Sequence, residues 1–182
     1  MIHYPNLFDF HAAPGTDVGR VISLMEVIGH KWYCCLDAFL DIQRCDLESN
    51  LPSVTLINHP CSWLENCYRW KIFNLPMMEI VVPPVLLNYD SFNLFVRSIY
   101  GHSTDVYGLL HRQYKSDICI RAEDLPWCLF ELLESFEIEI PSCELPENTK
   151  RITYDDEVFW TKDLRKLVLQ SEQRTCDAYE YF

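Results

Sequence analysis

The tightest grouping of metal-ligating residue types in the chain is His59, Cys61 and Cys67. A zinc site needs four converging ligands, and structural zinc sites draw on closely paired cysteines or histidines. This stretch has no CxxC spacing and no evident fourth ligand, so a turn leading into a helix with buried cysteines accounts for it. Nucleophilic catalysis needs a thiol beside a base. His30 and Cys34 would share one helical face, being four residues apart, yet a core cysteine next to a solvent-facing histidine gives the same pattern. His102 and His111 flank a stretch containing Asp105, the types of an acid–base group, and read equally as ordinary histidines of a surface loop. Asp155, Asp156 and Glu157 are adjacent, so their side chains diverge, whereas an acid–base pair needs opposed groups in a cleft. Gly15 and Gly19 lack the Lys-Ser/Thr of a phosphate loop and the third glycine of a dinucleotide fingerprint. No metal, cofactor or catalytic residue is therefore expected, and the chain reads as non-enzymatic. Trp63 and Trp70, with Tyr68 and Arg69, have the composition of a binding hot spot and equally that of a core.

Charge points in one direction. The 182 residues carry a net charge of −12, and from Asp117 to Phe182 there are 16 acidic residues against 7 basic ones, a net of −9. Such a field repels nucleic acid and anionic membrane surfaces and steers basic partners inward. Basic residues are too scattered to form a nucleic-acid stripe, and no apolar run approaches the roughly 18–20 residues that span a membrane. The nine cysteines are odd in number, Cys34 and Cys35 are adjacent, and Met1 to Phe10 has no signal-peptide pattern. Reduced, mostly buried thiols in a cytoplasmic protein are the expectation. With 49% hydrophobic and 14% aromatic residues the chain has the composition of a folded one.

The elements that would position these residues fall into two stretches, joined at Pro83-Pro84 and the segment after it. Residues 1–85 read as a small α+β unit. Thr16 or Asp17 would cap a helix running toward Asp41; Gly29-His30 interrupts its apolar face, so a pair of strands turning there is the alternative. Ser53 to Asn58 and Met77 to Val82 read as short strands, and Trp63, Cys67 and Trp70 share a helical face between them. Residues 86–182 read as helical. Ser91 to Tyr100 has Phe92, Phe95, Val96 and Ile99 on one side, and a long polar and mixed loop follows, ending near Arg121. Leu125 to about Phe136 is the strongest helix, with Asp124 as its cap and Pro126 in its first turn. Ile138, Ile140 and Pro141 form an extended exit, and a last helix spans Thr161 to about Gln170.

The run Glu123-Asp124-Leu125, the helix through Phe130-Glu131-Leu132-Leu133-Glu134-Ser135-Phe136 and the exit Glu137-Ile138-Glu139-Ile140-Pro141 resemble the acyl carrier proteins. In that family an Asp-Ser-Leu motif opens an acidic second helix. The resemblance covers roughly residues 88–172. It implies a helical bundle in which Ser91 to Tyr100 is the first helix, Ser142 to Asn148 the short third and Thr161-Lys162-Asp163-Leu164 the start of the fourth. One departure matters: where carriers have the serine that bears phosphopantetheine, this chain has Asp124, and a carboxylate does not accept that phosphodiester. What the resemblance leaves is an acidic scaffold without a prosthetic group, offering a surface for protein contact.

The fold class expected is thus α+β, with the carrier-like helical bundle as the second unit. The function expected is non-catalytic binding of a basic protein, such as a toxin or an enzyme, by a stoichiometric inhibitor or immunity-type protein. The alternative is a carrier-like accessory protein that docks on fatty-acid or secondary-metabolism enzymes. The residues expected to meet the partner are Asp124, Glu131, Glu134, Glu137, Asp155, Asp156 and Glu157.

Overall fold

The computed structural model describes residues 2–4, 7–11, 13–29, 33–34, 50–74, 82–83, 86–114, 116–140 and 158–181. In chain order its strands and α-helices are β1 (Ile2–Tyr4), β2 (Phe8–His11), α1 (Val18–Val27), β3 (Tyr33–Cys34), β4 (Ser53–Ile57), α2 (Pro60–Arg69), α3 (Phe92–Tyr100), α4 (Val106–Gln113), β5 (Ile118–Arg121), α5 (Trp127–Ser135), α6 (Lys162–Ser171) and α7 (Gln173–Ala178). The class is α+β. The chain forms two discontinuous units, residues 1–58 with 114–153 and residues 59–113 with 154–182. The joint expected after residue 85 falls inside the second unit. The reason is β5, which lies in what reads from sequence as a polar loop and pairs with β4, carrying residues 114–153 into the first unit.

In the first unit a five-stranded mixed sheet has the order β3-β1-β2-β4-β5. β1 runs antiparallel to β2 and β3, and β2, β4 and β5 run parallel. The register places Ile2 opposite Phe10, Tyr4 opposite Phe8, Phe10 opposite Val54 and Leu56 opposite Ile120. Side chains alternate across a strand, so these residues form one face, and all of them are buried in a core shared with α1 and α5. β4 is an interior strand buried on both faces, Thr55 and Ile57 included, which explains why its inward and outward positions do not alternate between apolar and charged. Helix α1 buries Val21, Leu24 and Met25 and stops at Val27. Gly29, at a left-handed φ of 85°, ends the first turn after it, and the chain then enters β3 instead of continuing toward Asp41. Asp17 stands at the N-cap but its side chain makes no cap bond. Thr16 is buried and its hydroxyl donates to the Ala13 carbonyl at 2.6 Å.

In the second unit α3 and α6 lie side by side and parallel. Phe92 meets Trp160 near their starts, at 4.9 Å between rings, and the Tyr100 hydroxyl donates to Glu172 at their ends, at 2.8 Å. Helix α2 runs the other way along α6, its Glu65 accepting from the Trp160 indole at 2.8 Å. Trp63 of α2 is fully buried, stacked on Tyr107 of α4 and edge-on to Phe73. Ser91 and Thr161 cap α3 and α6, accepting from Leu94 and Leu164. Both helices start where the sequence places them. Residues 106–113, read from sequence as loop, instead form α4, whose Val106, Tyr107 and Leu110 are buried. The strand expected at Met77 to Val82 and the short helix at Ser142 to Asn148 lie outside the described residues, apart from Val82.

Helix α4 crosses α7 at Gly108. A Cβ there would run into the Asp105 carboxylate and the Thr175 hydroxyl. Asp105 has little room to move, because its φ of 57° is left-handed, its amide donates to the Ser171 carbonyl and its carboxylate pairs with Arg112 at 2.7 Å. Gly108→Ala is therefore expected to lower stability by about 1–3 kcal/mol, despite alanine's better helix propensity; urea titration checks this.

Candidate functional site

The outer face of α5 gathers the exposed acidic residues singled out from sequence. Leu129, Phe130, Leu132 and Leu133 are buried, and Leu129 and Leu133 completely so. At 100° per residue these four occupy one side, leaving Trp127, Glu131, Glu134 and Ser135 on an arc of about 100° that faces solvent. Glu123 and Asp124 are exposed just before the helix and Glu137 just after it. Asp155, Asp156 and Glu157 lie outside the described residues.

The face is held rigidly. Arg20 of α1 donates to the carbonyls of Ala122 and Leu125, each at 3.3 Å, fixing the turn that leads into α5. Asp124 does not cap the helix as its position suggests. It ends a 3-10 turn, Ala122–Asp124, and pairs with Arg121 at 3.1 Å; Pro126 holds the N-cap position, and no side chain caps the helix. At the other end the Glu137 amide donates to Glu134 and the Ile138 amide to Leu133. This is the Schellman pattern, and Ile138 packs on the core as its apolar contact. Glu137 occupies the left-handed position, φ 60°, where glycine is usual.

These charges oppose local stability. The C-terminal end of a helix carries partial negative charge, so acidic residues there are unfavourable. Glu134 lies in the last turn of α5, Glu137 follows it, Glu131 sits at the midpoint, and the last turn has no basic residue. The first turn, where acidic residues would help, has none. The first unit as a whole carries 16 acidic residues against 7 basic ones, so −9 of the net −12 lies there. The last third of the chain also sums to −9, but the sheet groups a different set of charges by bringing in residues 1–58.

Trp127 is the residue that reading missed. It is 67% exposed, and Phe130 meets it at 6.1 Å with the rings nearly perpendicular. Inside an apolar helix pattern a tryptophan reads as core; only the phase set by the four buried residues puts it outside.

The remaining candidates resolve into structural roles. His59 caps α2, its Nδ1 accepting from the Cys61 amide at 3.1 Å. Cys61 and Cys67 are buried, and burial pushes the Cys61 thiol up to about 11 and the Cys67 thiol well above its ordinary value. Burial likewise raises Cys128 to about 11, so none of the three is a ready thiolate. Cys34 lies in β3, which removes the helical spacing to His30, itself outside the described residues. Among the described residues no three His, Cys, Asp or Glu side chains converge on a metal-sized site. His102 is exposed, whereas His111 is buried in α4 beside Tyr179, whose hydroxyl lies 3.3 Å from Nδ1. Trp63 is core and Trp70 is exposed, so the pair does not form one patch.

One polar cluster in the second unit has no counterpart in the sequence reading. Glu172, completely buried between α6 and α7, accepts from the Tyr100 hydroxyl and the Tyr107 amide at 2.8 Å and from the Gly108 amide at 3.2 Å. Its carboxylate thereby caps the start of α4. Burial raises its pKa, against the pull of those three hydrogen bonds. The group is enclosed, and its three hydrogen bonds join the helices around it. Of the helices the carrier resemblance would place in one bundle, α3 and α6 belong to this second unit and α5 to the first. Among the described residues no helix is long and apolar enough to cross a membrane. No protein-family model, curated protein or solved structure matches the chain.

Proposed function

We propose that the chain is a non-catalytic binding protein that recognises a basic protein through the outer face of α5, acting as a stoichiometric inhibitor or immunity-type protein. The observation that carries this reading is the placement of Glu134 in the last turn of α5 and Glu137 just after it, where their charge opposes the helix, with Glu131 on the same exposed arc. Residues that break a local rule without a local gain mark positions kept for another purpose. A rigid helix with an acidic rim and an exposed indole supplies both the steering field and the contact area of a docking surface.

Opposite signs in two measurements test it. Glu134→Lys relieves the helix dipole in the last turn and Glu131→Lys at the midpoint is nearly neutral to it, so the thermal stability of the double variant is expected to rise slightly, by about 0.5 kcal/mol. The same variant is expected to lose the partner. In native mass spectrometry of the protein purified at low salt from its host, the wild type shows a one-to-one complex with a basic protein that dissociates at high salt. A variant that keeps the complex, or a complex indifferent to salt, refutes the α5 face as the docking surface.

A further inference from the structure

Building on that docking face, we propose that Trp127 is its anchor and that the partner lays an arginine side chain flat on the indole, its guanidinium reaching Glu131. Trp127 and Glu131 are one helical turn apart on the exposed arc, and Glu134 lies a turn beyond. Residues so spaced have Cβ atoms roughly 5–6 Å apart, the separation a group stacked on one and bonded to the other must bridge. Trp127 is 67% exposed, with Phe130 nearly perpendicular to it at 6.1 Å, so most of the indole is open to solvent.

The chemistry narrows the occupant. A purely apolar pocket closing over Trp127 would strip water from Glu131 and Glu134 without pairing them, and unpaired buried charge is strongly unfavourable. A lysine supplies charge but no plane. A guanidinium is planar and weakly hydrated, stacks on an aromatic face and presents N–H groups to a carboxylate at the same time. Trp70 offers the contrast within this chain. It is 57% exposed, but Arg69 and Lys71 flank it in sequence, so the same occupant would meet like charge there.

The test uses nona-arginine and nona-lysine peptides as probes, titrated into the full chain at low and high salt. Wild type is expected to bind nona-arginine more tightly than nona-lysine, with both affinities falling as salt rises. Trp127→Ala is expected to weaken nona-arginine about tenfold, to leave nona-lysine nearly unchanged and to spare the melting temperature, since the side chain is mostly exposed. Trp127→Phe should retain part of the preference. Equal nona-arginine affinity in wild type and Trp127→Ala, with binding still weakened by Glu131→Gln and Glu134→Gln, would overturn the anchor and leave the docking face standing. Absence of salt-sensitive binding of either peptide to the wild type would overturn both.

Discussion

Replacement of Glu172 by alanine is expected to destabilise the protein by about 3–5 kcal/mol, measured by urea unfolding. The carboxylate is completely buried and holds the Tyr100 hydroxyl and the Tyr107 and Gly108 amides. Alanine leaves three buried donors without this acceptor and opens a cavity where α3, α4, α6 and α7 are tied together. Tyr100 is itself 6% exposed, so water has little access to replace the lost bond. Glu172→Gln isolates the electrostatic part. It keeps the shape and one acceptor oxygen but turns an amide NH2 toward donors, so a cost of about 1–2 kcal/mol is expected. A loss below about 1 kcal/mol for the alanine variant would mean that the helices hold together without this carboxylate.

How much of this was legible follows from what each residue contacts. Ser91 and Thr161 announce their helices because capping is local: the hydroxyl, the amide three residues on and the apolar face all lie within one turn. Strand β4 is similarly plain, a short run of β-branched and apolar residues after Pro52. Helix α4 and strand β5 are not legible, because Gly108, His111 and the surrounding polar residues dilute the apolar period. Both are held by distant partners, α4 by Glu172 and β5 by β4. The unit boundary was lost with β5. The acidic character of α5 could be read from its glutamates, but the exposure of Trp127 could not, since it depends on which side of the helix the sheet occupies. Glu172 shows the same limit in reverse. Counted by sequence it is one more charge in an acidic tail; in the fold it is an internal tie and contributes nothing to the outer face.

The adverse placement of the α5 charges and the buried ties of the second unit answer to different demands. Substitution of Glu131 or Glu134 changes surface potential, and that of Glu134 also the electrostatics of the helix end, with little change in packing. Substitution of Glu172 or Gly108 changes packing and leaves the α5 face untouched. The two sets of variants should therefore separate binding from stability.

Stability is expected to fall as pH drops from about 6.5 to about 4, with His111 a principal cause. Burial, reinforced by Arg112, lowers its pKa from 6.5 to about 4. The folded state therefore favours the neutral ring. A group with a depressed folded pKa contributes its full stabilisation above the unfolded value and loses it as pH falls through the folded one. For His111 that contribution is about 3 kcal/mol, complete above pH 6.5 and exhausted below about pH 4. Glu172 acts with the opposite sign, because its pKa is raised; its contribution is present below the ordinary glutamate range and fades as pH rises through the folded value. His111→Gln keeps a polar group within reach of the Tyr179 hydroxyl but removes the titration. Urea midpoints across this interval should therefore fall less steeply for His111→Gln than for wild type, and more steeply for Glu172→Gln. Equal slopes for His111→Gln and wild type would show that acid acts elsewhere in the chain.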